Sequence, residues 1–299
     1  MNTWTRRGLL TAGTATGVAA LIGAGSPTRG PEPLDIVTGE DGFRAPTTAA
    51  AGAVTFRVRT TSTRTGIVGI ARLRRGVGEA AFRRHLRDVF EKKNAQDVIQ
   101  ASKDLMADAE LFGGAMAVPG SQSSFTAWLP PGRYLVLEYK DFEGPRVGRD
   151  PLPGTEYVSP LLVHAADVAG AGRPRPSATV IAVDTKMGPR FVLEGRIRRD
   201  RPVRYVNAMR GQVDELAVYP LTDDSVTEAD IQRFFQEPWS AAPFDLAAQL
   251  GTPPLSPGRS AVLGMPLEPG RYALTSWVAG MQDAQHLSAH GQVLIVTVP

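Results

Sequence analysis

The chain has 299 residues, with 33 lysines and arginines against 30 aspartates and glutamates, and no cysteine. The missing thiols exclude disulfides, cysteine zinc sites, iron–sulfur clusters, thiol catalysis and a lipidated N-terminal cysteine. Arg6, Arg7 and Arg29 account for the whole formal excess of +3, so the chain beyond residue 30 is close to neutral. It has no basic surplus of the kind a nucleic-acid partner requires, and none is expected.

Residues 1–30 read as an export leader. Arg6 and Arg7 precede a short apolar run, GLLTAGTATGVAALIGAG, and then Ser26 and Pro27 open a polar stretch. A charged start, an apolar middle and a small-residue exit are the parts of a secretory signal, and the TRRGLL pair resembles the twin-arginine type. The run is diluted by Gly and Thr and too weakly apolar for a permanent span, so no membrane segment is expected after cleavage. The expected location is beyond the cytoplasmic membrane, secreted or in the cell envelope.

Past the leader the pattern is mostly that of strands. VTFRVRTT (54–61) places Val54, Phe56 and Val58 on one face, with Thr and Arg between them. IVGIARL (67–73) is apolar enough for an inner strand. Phe82, Leu86, Val89 and Phe90 then recur at helical spacing, and helix is expected over about 78–112. SFTAWL and YLVLEY flank Pro130-Pro131-Gly132, a turn signal. Residues 143–177, rich in Pro and Gly, read as a long loop, and TVIAVDT (179–185) as the strand closing the first half. The second half offers VRYVNA, ELAVYPL, AVLGMPL, YALTSWVA and QVLIVTV. A helical insertion spans about 226–250, with Thr227 as N-cap and Asp230 at the third helical position.

Laid side by side, the halves repeat one order. AGAVTFRVRTT matches DRPVRYVNAM, and IVGIARL matches ELAVYPL; each then enters helix. LPPGRYLVLEY (129–139) matches LEPGRYALTSW (267–277). Strands that bury one face need a partner sheet, so the expected fold is all-β with helical insertions, two Greek-key β-sandwiches in tandem. The expected division is 31–186 and 187–299. In sandwiches a Tyr at such a corner bonds back to the backbone and pins it, which gives Tyr134 and Tyr272 a structural role.

These stretches resemble the cupredoxin-like domains of exported bacterial proteins. That family builds blue copper sites from two His, a Cys and commonly a Met, with the Cys four residues after the strand-opening Tyr. Carried over, the thiolate position falls on Glu138 in the first half and Ser276 in the second. The first His position falls near Gly66 or Ile67, and on Asp214. In the loop AGMQDAQHLSAHG, His286 matches the second His, and His290 or Gly291 stands about where the Met would be. With no Cys, the resemblance implies a degenerate site without thiolate-bound copper.

Two readings of function remain. One is a binding or interaction module without catalysis or cofactor, for an extracellular or cell-envelope ligand or protein. The other is a metal-binding protein or metal-dependent enzyme in which Asp214, His286 and His290, with Glu215 nearby, hold zinc or non-blue copper. GVGEAA (76–81) matches a dinucleotide-loop pattern, but its all-β surroundings oppose that use. GSQSS reads as a loop, and Trp128 and Trp277 as core or rim residues.

Overall fold

A computed structural model describes residues 32–40, 42–91, 94–143, 156–166, 174–237 and 240–299. The expected leader lies outside these, as do parts of the expected loop, 144–155 and 167–173. No helix among the described residues is long and apolar enough to cross a membrane.

The first half contains β1 (Leu34–Gly39), β2 (Gly42–Arg44), β3 (Thr48–Ala50), β4 (Gly52–Thr60), β5 (Gly66–Leu73), α1 (Glu79–Glu91), α2 (Ala95–Asp108), β6 (Ala109–Ala117), β7 (Gln122–Leu129), β8 (Gly132–Glu138) and β9 (Val158–His164). The second contains β10 (Ala178–Thr185), β11 (Gly188–Gly195), β12 (Val203–Asn207), β13 (Asp214–Pro220), α3 (Glu228–Gln236), β14 (Leu250–Leu255), β15 (Ser260–Gly264), β16 (Gly270–Thr275) and β17 (Leu294–Val298). The fold is an all-β sandwich with helical insertions, as the alternation predicts.

The halves are fused through both sheets. One sheet runs β11-β10-β12-β15-β7-β4-β1-β2, the other β17-β16-β13-β14-β6-β5-β8-β9-β3. Apart from β3 at one edge, each order reads outward from its middle through equivalent strands. Phe125 and Leu263, each four residues before the Leu of its Pro-Gly turn, face each other across β7 and β15. The halves are therefore related by an approximate two-fold axis through that pair. One apolar cluster fills the space between the sheets and draws on both halves, from Phe56, Ile70 and Phe125 to Leu216, Leu263 and Leu274.

The hairpin β10–β11 pairs with β12 as β1–β2 pairs with β4, β10 and β1 both running parallel to their neighbours. TVIAVDT thus stands on the second half's side of the sheet, and the expected division at 186/187 falls in the hairpin's turn. Three segments also differ from expectation. Residues 109–117 leave the helix and form β6, in which Gly114 lies against β5 so closely that a Cβ would stand 1.8 Å from the Val68 carbonyl oxygen. Residues 250–255 form β14 despite Pro253 and Pro254. Proline cannot donate to a ladder, and side chains flanking the two prolines tie the strand to β6 by accepting instead: Gly114 N–H donates to Thr252 Oγ1 and Leu111 N–H to Ser256 Oγ, both at 2.9 Å. Residues 158–164 of the expected loop form β9, antiparallel to β8.

Both tyrosine corners are present. Tyr134 O–H donates to the Pro130 carbonyl at 2.7 Å and Tyr272 O–H to that of Glu268 at 2.9 Å, with both rings buried. The nine-stranded sheet is covered on its outer face too, by α1 and α2 over Ile67, Leu111 and Leu137 and by α3 over Ala217 and Tyr219. This double burial explains the nearly unbroken apolar runs of β5 and β13. Thr227 caps α3 with the reciprocal Asp230 bond of a capping box. The GVGEAA turn follows a strand antiparallel to both its neighbours, so it opens no parallel β-α-β unit.

Candidate functional site

Successive residues of a strand point to opposite faces, and β13 separates its two acids on that rule. Asp214 turns inward at the end of the sandwich and is fully buried. Its carboxylate accepts from Tyr205 O–H at 2.5 Å, from Ser276 Oγ–H at 2.6 Å and from Gln292 Nε2–H. Burial pushes the group up to about 6 against the pull of these donors. The equivalent place in the first half holds Glu138, on the neighbouring strand. Glu138 accepts from Ile67 N–H at 2.8 Å, and burial pushes it up to about 7. Register makes Gly66 equivalent to Asp214 and Glu138 to Ser276. Each half therefore places a buried acid at this end, but on non-equivalent strands, Asp214 on β13 and Glu138 on β8.

The histidines go elsewhere. His286 Nδ1 lies 2.6 Å from the Trp277 carbonyl oxygen, and its ring meets Trp277 and Phe235 edge-on. Burial lowers its basicity. His290 Nε2 pairs with Asp283 at 2.9 Å, at the surface. Among the described residues no group of three His, Asp or Glu side chains converges to hold a metal, so Asp214, His286 and His290 do not form the ligand cluster expected of them. The chain has no cysteine to supply a thiolate, and at Gly66, where the resemblance implies a His, a Cβ would stand 2.4 Å from Thr38 Cγ2.

Glu215 turns outward, into a cavity of about 610 Å³ between α1, α2 and the outer face of the nine-stranded sheet. Most of the lining is apolar: Leu86, Phe90 and Leu105 from the helices, and Ile67, Leu111 and Val213 from below. This is the size and character of pockets that bury small molecules. Two equivalent pairs line it, Ile67 with Glu215 and Tyr139 with Trp277, so it straddles the approximate two-fold axis. Glu215 Oε1 accepts from Trp277 N–H at 2.8 Å. Burial pushes its carboxyl up to about 8, with the Asp214 charge adding to the rise, so at neutral pH it carries its proton. Trp277 Nε1–H donates to Tyr219 Oη at 2.8 Å, which fixes the indole at the cavity wall. Trp128, by contrast, is exposed on the eight-stranded sheet, so the two tryptophans form no common platform.

Solved structures similar to the chain include a copper-containing nitrite reductase from Thermus scotoductus (13% identity, TM-score 0.25, 90% of this chain covered). An auracyanin from Roseiflexus castenholzii matches 42% of this chain and 99% of its own at 15% identity, TM-score 0.26. A copper nitrite reductase from Nitrosomonas europaea matches 89% of this chain and 93% of its own at 13% identity, TM-score 0.23. The likeness is faint. The chain spans 61% of the length of the Thermus enzyme. No family model and no curated protein matches it.

The cavity was not found from sequence, because helices and strands far apart in the chain build it. One signal pointed to it. Glu215 interrupts an apolar strand at an outward position, beneath the covering helices.

Proposed function

We propose that the protein is an exported binding module of two fused cupredoxin-like sandwiches, divided between β9 and β10, that holds a mainly apolar small molecule in the cavity above Glu215. The fold assignment rests on the duplicated strand order and the two tyrosine corners, and export on the Arg6-Arg7 leader. One observation carries the binding reading: a cavity of about 610 Å³ whose apolar walls enclose a buried carboxyl. Leaving that much apolar surface unfilled beneath two helices forgoes packing contacts, and an apolar occupant restores them.

The test uses the mature protein and variants that fill the cavity, Leu105→Trp and Val278→Phe. Wild type titrated with an apolar naphthalene probe shows saturable binding by calorimetry and a raised Tm, and both variants lose them while keeping a cooperative melt. A wild type that neither binds nor shifts on adding the probe overturns the proposal. Replacing Arg6 and Arg7 by Lys tests export separately, with accumulation in the cytoplasm expected.

A further inference from the structure

The polar groups in the cavity differ in kind from its walls, and their hydrogen-bond inventory is one-sided. Glu215 Oε1 is already engaged by Trp277 N–H, and among the described contacts its second oxygen meets no protein partner. In the protonated acid that second oxygen carries a hydrogen to donate. Tyr139, 3% exposed, makes no side-chain hydrogen bond among the described residues, and its hydroxyl lines the cavity. Tyr219 receives the Trp277 indole N–H on its oxygen, which leaves its own O–H without an acceptor. Tyr139, Tyr219 and Glu215 all line the same cavity.

The surrounding charges settle little of this demand. Lys140 pairs with Glu143 at 2.6 Å, and both line the cavity. His286 has its Nδ1 against the Trp277 carbonyl, which makes it the Nδ1–H tautomer when neutral. The stretches of α1 and α2 that line the cavity bring no charged side chain. Asp214 lies on the far side of β13 with its oxygens occupied. Among the described residues the site therefore offers neutral donors and no unpaired cation. These groups face the cavity, and a ligand oxygen that accepts from them takes over hydrogen bonds that otherwise go to water there.

We infer that the occupant is a neutral, mainly apolar molecule carrying a carbonyl-type oxygen, seated on the Glu215 carboxylic acid and the Tyr139 hydroxyl. This rests on the binding reading above and sharpens it to a ligand class. A carboxylate would meet Glu215 and Glu143 and, among the described residues, no unpaired cation. An amine would find the acid protonated and would have to displace that proton on binding.

The experiment compares four probes on one skeleton by calorimetry: 2-acetylnaphthalene, 2-isopropylnaphthalene, 2-naphthoate and 2-(aminomethyl)naphthalene. At pH 6.5 the ketone binds about tenfold more tightly than the hydrocarbon, the increment of one well-made hydrogen bond to a buried donor. That preference shrinks as pH rises through about 8, where Glu215 loses the hydrogen it donates. Glu215→Leu abolishes the preference while the hydrocarbon still binds. Glu215→Gln, whose amide donates at every pH, keeps the preference and loses its pH dependence. Equal binding of ketone and hydrocarbon, untouched by Glu215→Leu, overturns the inference and leaves the cavity reading standing. Tightest binding by the amine, strengthening with pH, overturns it in favour of a cationic ligand, and tightest binding by the naphthoate overturns it equally. If no probe binds, the cavity reading falls as well.

Discussion

Glu215→Gln should make the folded protein less sensitive to alkaline pH. The Glu215 carboxyl titrates at an ordinary 4.5 in the unfolded chain and near 8 when folded, chiefly because burial disfavours its charge. Between those two values the native state holds a proton that the unfolded chain has released. Stability from this group is therefore fully present below about 4.5 and declines as pH rises, until it is gone above about 8. Each unit of pH in that window shifts the balance by about 1.4 kcal/mol per proton. From pH 5 to pH 8 the wild type thus loses up to about 4 kcal/mol that the glutamine variant does not. Asp214 and Glu138, pushed up by burial to about 6 and about 7, lose stability with the same sign. They remain in both proteins and largely drop out of the comparison. Urea unfolding of the mature protein at pH 5, 6, 7 and 8 measures the gap. The variant should gain on the wild type at each step up to pH 8 and hold level beyond it. Parallel pH profiles would refute the reasoning, since they would mean that Glu215 is already ionised, or solvated, in the folded state.

Three further outcomes follow from the geometry. Tyr134→Phe and Tyr272→Phe each remove one corner bond while keeping the buried ring, and each should lower unfolding free energy by about 1 kcal/mol in urea titration; no loss in either would remove the clamp role. Thr227→Ala deletes the side-chain half of the α3 capping box and should cost about 1 kcal/mol, readable as a lower Tm. Elemental analysis should find no stoichiometric zinc held by His286 or His290. Zinc present in the wild type and lost on His286→Ala or His290→Ala would show that Asp214 exchanges its three donors for a metal.

What was legible in the sequence was local. Val54, Phe56 and Val58 announce their strand because only one face of it is buried, and the paired Pro-Gly-Arg-Tyr turns announce the duplication because a corner needs those residues in that order. β14 escaped notice because Pro253 and Pro254 oppose a ladder, and the bonds that tie it to β6, from Gly114 and Leu111 N–H to the Thr252 and Ser256 hydroxyls, join segments far apart in the chain. β6 escaped because AELF continues the helical pattern of α2 without a break. The expected metal group failed for a sharper reason. Adjacent strand residues point apart, so Asp214 and Glu215 serve opposite faces of one sheet, and proximity in sequence made them look like parts of a single site.

The cavity depends on the fusion rather than on either sandwich. Its floor is the seam where β6 meets β14, and its roof is the α1–α2 hairpin, for which the second half has only the shorter α3. Two equal insertions would meet over the axis as equals; here one side is roofed by two helices and the other contributes Glu215. At equivalent positions on that floor the first half places Ile67 and Tyr139, and the second Glu215 and Trp277. An isoleucine in the second half would leave an apolar hole with no means of orienting what enters it, and a glutamate in the first would set two buried acids against each other. The single exchange gives one orientable acid, held by the Trp277 backbone and flanked by Tyr139 and Tyr219. Symmetry makes the space, and the departure from symmetry makes it selective.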